Sequence, residues 1–124
     1  RFGMEHTAEV GSMRYMAPEV VFQSYDFKAD VFSFAMLVWE TLHVALPFDG
    51  RTAIEALMSI HSNQRPPLAL KAPLDRYKAL ISRGWEQAPG LRPSMVEIAR
   101  QIEQVSMTVA ACNADVEQGQ KHRT

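Results

Sequence analysis

The sequence predicts a mostly α fold. Apolar residues recur at helical spacing in four stretches, two of which open on a capping-box pattern, and no alternating run longer than a few residues marks a strand.

Residues 1–27 carry no strong period, although Ala17-Pro18-Glu19-Val20-Val21-Phe22 suits a short helical turn with Pro18 at its first position. A first long helix is expected over 28–43. Its apolar residues, from Val31 and Phe32 through Trp39 and Leu42, cover most of the circumference, which marks a central element surrounded by other parts of the fold. Pro47, Asp49 and Gly50 end that region. Thr52-Ala53-Ile54-Glu55 then reads as a capping box, and Ile54, Leu57, Met58 and His61 are expected to share a face of the helix. Pro66, Pro67 and Pro73 make 63–73 an irregular connector.

A third helix is expected over 74–86, with Leu74, Tyr77, Leu80, Ile81 and Trp85 at helical spacing. The fourth begins at a second capping box, Ser94-Met95-Val96-Glu97, and places Met95, Ile98, Ala99, Ile102, Val105 and Val109 along one face. Beyond Cys112 the chain turns polar, and a frayed tail is expected there. A central helix that is apolar all round is hard to cover with three other helices, so a further surface is expected from a partner or from more of the same chain.

Composition excludes several classes. With 47% hydrophobic and 22% charged residues the chain is not generally disordered. Thirteen Lys and Arg against fourteen Asp and Glu leave a net charge of −1, so no broad basic field is available for nucleic acid or an anionic membrane. The apolar run over 31–39 is far shorter than the roughly 20 residues of a membrane span, and the first residues show no signal-peptide pattern. Cys112 stands alone, no Cys/His framework for a metal exists, and a reducing, cytoplasmic setting is expected.

Three blocks carry a family resemblance. Gly11-Ser12-Met13-Arg14-Tyr15-Met16-Ala17-Pro18-Glu19-Val20 resembles the end of a protein-kinase activation segment. Tyr25-Asp26-Phe27-Lys28-Ala29-Asp30-Val31-Phe32-Ser33-Phe34, followed by Trp39-Glu40, resembles the kinase F helix and its entry. Gly84-Trp85-Glu86-Gln87-Ala88-Pro89-Gly90-Leu91-Arg92-Pro93-Ser94 resembles the block before the last helix. The blocks occur in the family's order over about residues 7–105, and His6-Thr7-Ala8-Glu9 with Lys28-Ala29-Asp30-Val31-Phe32-Ser33 is especially similar to plant Raf-like kinases of the tyrosine-kinase-like group.

The resemblance implies a C-terminal-lobe fold, with a partial kinase domain over 1–108 and a polar tail over 109–124. The glycine-rich loop, the strand lysine, the His-Arg-Asp loop and the Asp-Phe-Gly have no counterpart here, so no catalytic residue is assigned and ATP and Mg²⁺ are expected to bind the full-length parent, not this segment. Arg1-Phe2-Gly3 resembles a damaged Asp-Phe-Gly, but only seven residues separate Gly3 from Gly11. Arg1 is therefore read as lying past a true Asp-Phe-Gly.

By the same resemblance, Ser12 matches the hydroxyl that bonds the catalytic-loop Asp and Lys, its alternative being an ordinary turn serine. Met13, Arg14 and Tyr15 line the surface beside the phosphoacceptor; Arg14 either favours an acidic neighbour in the substrate or is a plain solvated arginine. Thr7 is the candidate phosphosite, or else an unmodified exposed threonine. Ala17, Pro18, Glu19, Asp30, Trp85 and Arg92 are the structural motif residues. Glu19 and Arg92 match a buried ion pair whose one-sided loss costs about 3–5 kcal/mol, and Trp85 reads as core in any case. Ala35 stands where the family commonly has Gly, Gly84 where it has Cys, and Ala88 where it has Asp.

The expected function is that of an ATP-dependent serine/threonine kinase, with a protein substrate and the rest of the kinase domain in cis as partners. The rival is a pseudokinase or an isolated lobe serving as a scaffold; a helical interaction domain unrelated to kinases leaves the three ordered blocks as coincidence.

Overall fold

The computed structural model describes residues 13–22 and 26–123, and among them it is helical with no strand. Four α-helices follow in order: α1 (Phe27–His43), α2 (Ala53–His61), α3 (Lys78–Gly84) and α4 (Met95–Arg123). Short 3-10 turns at Met13–Tyr15, Pro18–Phe22, Leu74–Tyr77 and Pro89–Leu91 connect them.

The helix α1 is the axis of the molecule. Asp26 caps it by accepting from the Lys28 amide at 2.9 Å, which satisfies one of the free N–H groups of its first turn. Val44 ends it in the left-handed region at φ 49°, its amide turned back to the Glu40 carbonyl. Val31, Phe32, Ala35, Met36 and Trp39 are all buried, and full burial of each large apolar side chain contributes about 1.5–3 kcal/mol. Around α1 pack α3, α4 and the Met13–Tyr15 turn, while α2 covers that turn from the other side. The segment 13–22 is thereby held between two helices.

The helix α2 opens on the expected box: Thr52 Oγ1 accepts from the Glu55 amide at 3.1 Å, and the Thr52 amide donates to Glu55 Oε1 at 2.8 Å. These bonds hold the Glu55 carboxyl below its usual range. The face shared by Ile54 and Met58 is not the one that α2 buries. Ala56 and Ile60 are buried, whereas Ile54 and Met58 are 58% and 64% exposed. The expected third helix divides into a 3-10 turn at Leu74–Tyr77 and α3, which stops at Gly84; Leu80, Ile81 and Trp85 still point into the core.

The box before α4 is half made. Ser94 Oγ accepts from the Glu97 amide at 3.1 Å, but the Glu97 carboxylate turns forward to Arg100 and Gln101. Along the face that carries them, Ile98 and Val109 are buried, while Met95 and Ala99 are exposed. The frayed tail is corrected too: α4 runs unbroken to Arg123. Ala110, Ala111, Ala114 and Gln118 are strong helix formers, and they only propagate a helix whose packed part has already met the cost of nucleation.

Candidate functional site

Glu19 and Arg92, 73 residues apart, meet beneath the N-terminal end of α1. Arg92 Nη1 and Nη2 donate to Glu19 Oε2 and Oε1 at 2.7 and 2.9 Å. The other three N–H groups reach the carbonyls of Glu86 at 2.7 Å, Lys28 at 3.0 Å and Gln87 at 3.2 Å. All five guanidinium donors are thus used. Lys28 Nζ in turn donates to the Arg92 carbonyl, so Lys28 and Arg92 each bond the other's backbone. The Arg92 side chain has no exposure and that of Glu19 15%. The planar fork matches the carboxylate in two parallel bonds, which a lysine cannot reproduce.

The Arg92 guanidinium also lies 5.0 Å from the Phe32 ring centroid, as does that of Arg65. Arg65 donates to the Trp85 carbonyl at 2.9 Å and to Gln87 Oε1 at 2.7 Å. Burial first, and the nearby Arg92 second, lower its pKa to about 10, so it stays charged at neutral pH. Arg65 was not singled out in the sequence; its only signal was a cation heading the Pro66-Pro67 pair inside a connector.

A second cluster surrounds the Met13–Tyr15 turn. The Tyr15 hydroxyl donates to Glu40 Oε1, and Ser33 Oγ donates to the Tyr15 carbonyl at 2.7 Å. Burial, then the Glu40 carboxylate that the hydroxyl faces, raise the Tyr15 phenol to about 12. Arg14 reaches the other way: Nη1 donates to the carbonyls of Pro47 and Phe48 at 2.9 and 3.0 Å, and Nη2 to that of Arg51 at 2.5 Å. Met13 is half-buried beside them. Ala17 and Pro18 are buried between this turn and Glu19.

Asp30 lies half-buried in the first turn of α1 and Trp85 is core, 6% exposed. Ser12 and Thr7 fall outside the described residues. Among the described residues no three His, Cys, Asp or Glu side chains converge as a metal site would require, and no helix is long and apolar enough to cross a membrane. What the arrangement can do chemically is hold a surface segment rigid from two sides.

A clamp under one end of the segment and a tethered turn at the other hold it against a helical base. Comparison with known proteins gives the family. Residues 4–102 match the family model described as protein tyrosine and serine/threonine kinase. The serine/threonine-protein kinase STY17 of Arabidopsis thaliana is 37% identical over 100 residues, which cover 80% of this chain and 18% of that protein. The serine/threonine-protein kinase VIK of Arabidopsis thaliana is 38% identical over 104 residues, 83% of this chain and 24% of that protein. Mitogen-activated protein kinase kinase kinase 7 of Mus musculus is 39% identical over 97 residues, 76% of this chain and 17% of that protein. The chain belongs to the protein kinase family, in the tyrosine-kinase-like group beside the plant Raf-like serine/threonine kinases. It spans less than a quarter of the length of these relatives.

Proposed function

We propose that this chain is the substrate-presenting, helical part of an ATP-dependent protein serine/threonine kinase. The observation that carries the reading is the Glu19–Arg92 clamp, in which two donors of the buried Arg92 hold the carboxylate of the Ala17-Pro18-Glu19 turn while its other three hold the carbonyls of Glu86, Lys28 and Gln87. Phosphoryl transfer depends on positioning and electrostatics more than on covalent work by the protein. A fixed platform is what such chemistry asks of this half.

In this reading ATP and Mg²⁺ belong to the remaining kinase domain, joined in cis. Support for such a neighbour comes from α1. Although α1 is central, Phe34, Leu37, Val38, Thr41 and Leu42 line an almost wholly apolar groove of about 280 Å³ with Tyr77 and Ile102. Leu37 is 48% exposed there. Covering that face with more of the same domain would complete the burial of α1. Ser12 would then join the platform to the reaction centre, Thr7 would be an activating phosphosite, and the setting would be cytoplasmic.

The test is transfer of labelled γ-phosphoryl from ATP to a generic protein substrate by the full-length polypeptide, followed by phosphoamino-acid analysis. Label on serine and threonine is expected. A folded full-length polypeptide that transfers none would leave the scaffold reading in its place.

A further inference from the structure

We infer that Arg14 is a positioning residue that ties the substrate platform to loop 44–51, and that it does not read the charge of the substrate. This rests on the kinase reading above. Its guanidinium is turned into the protein, where the carbonyls of Pro47, Phe48 and Arg51 converge on two of its three nitrogens at 2.5–3.0 Å. Three carbonyl dipoles already satisfy the charge that a substrate carboxylate would otherwise meet.

The loop it grips is one that needs holding. Phe48 sits at φ 54° and Gly50 at φ 91°. The left-handed region suits glycine but is a costly conformation for an aromatic residue, and it persists only where surroundings over-determine it. Arg14 bonds the carbonyl on each side of the Phe48 nitrogen and Cα, and Arg51 stacks on the Phe48 ring with its guanidinium 5.3 Å from the centroid. The neighbouring Tyr15 is meanwhile fixed to α1 through Glu40 and Ser33. Adjacent residues therefore pin one turn in two directions, to the α1 helix and to the loop that follows it. A fork of donors spans three acceptors where a lysine ammonium, a point charge, cannot hold the same set.

The experiment uses the full-length polypeptide with Arg14→Lys and Arg14→Gln. Amide exchange is read at Asp49 and Arg51, whose N–H groups close the loop onto the Leu46 and Phe48 carbonyls at 3.1 Å, with Ile98, bonded to the Ser94 carbonyl near the other end of α1, as the control. Exchange at Asp49 and Arg51 should quicken about tenfold in both variants with Ile98 unchanged. Two matched peptides, carrying Glu or Gln beside the phosphoacceptor, then report substrate charge. KM should rise for both by about fivefold, the worth of roughly one hydrogen bond, with kcat and the Glu-to-Gln ratio of kcat/KM held. A selective loss of the Glu peptide's advantage, or loop exchange unchanged in either variant, would overturn the assignment. Should the wild-type polypeptide phosphorylate neither peptide, the kinase reading fails while the exchange measurement still decides whether Arg14 holds the loop.

Discussion

Gly84 faces Ala35 so closely that a Cβ added to the glycine would lie 2.7 Å from the Ala35 Cβ. Both residues depart from the kinase pattern, and they depart in opposite directions. Alanine on α1 fills the space that glycine commonly leaves, and glycine at the end of α3 gives up the side chain that cysteine would bring. Two substitutions that look independent in sequence are one packing adjustment in space.

Gly84→Ala should therefore destabilise by about 1–3 kcal/mol through overpacking. The double variant Ala35→Gly with Gly84→Ala should recover most of that loss, less about 1 kcal/mol for glycine inside α1. Chemical denaturation of the single and double variants measures the coupling. Strictly additive effects would mean that the two sites do not share the space.

The Glu19–Arg92 clamp predicts losses of similar size from either side. Arg92→Leu strands the Glu19 carboxylate and frees three carbonyls, and should cost about 3–5 kcal/mol. Glu19→Gln keeps a hydrogen-bonding partner for the guanidinium but leaves its charge unbalanced, and should fall in the same range. Arg92→Lys keeps the charge yet loses the fork, so it should behave like a loss and not like a conservative exchange. Equilibrium unfolding of the three variants decides this.

The Tyr15 phenol predicts a pH effect. Its pKa is raised from 10.0 to about 12, chiefly by burial and then by Glu40. The neutral phenol is thus the form the folded state favours. Its contribution is full below pH 10 and disappears as pH climbs through 12. In an ultraviolet titration, the difference between wild type and Tyr15→Phe should show one phenol ionising near 12. The stability gap between the two proteins should narrow over the same interval.

Leu37 tests the open groove. With the side chain 48% exposed in this chain, Leu37→Asp should alter the stability of residues 1–124 by no more than about 1 kcal/mol. In the full-length polypeptide, where that face is proposed to be covered, the same change buries a carboxylate and should cost several kcal/mol. Equal effects in both would mean that the groove stays open to water.

Local chemistry made much of the fold readable. The Thr52–Glu55 box needs only residues three apart, and the all-round apolar character of α1 is a property of its own sequence. Periodicity groups Ile54 and Met58 on one side of α2 but does not give the direction in which the body lies, and that side faces water. The site was less legible. Glu19 and Arg92 were paired by resemblance, since nothing in the charges themselves selects one pair across 73 residues. Arg14 and Arg65 bond mainly to backbone carbonyls, for Arg14 33–37 residues away. Every residue has a carbonyl, so such acceptors leave no mark in a sequence.

Nucleotide binding decides most directly whether this chain presents a target while another part of the polypeptide holds the phosphate donor. Mg–ATP, titrated by calorimetry, should bind the full-length polypeptide and release no heat of binding with residues 1–124 alone. Saturable Mg–ATP binding to residues 1–124 would contradict that division of labour.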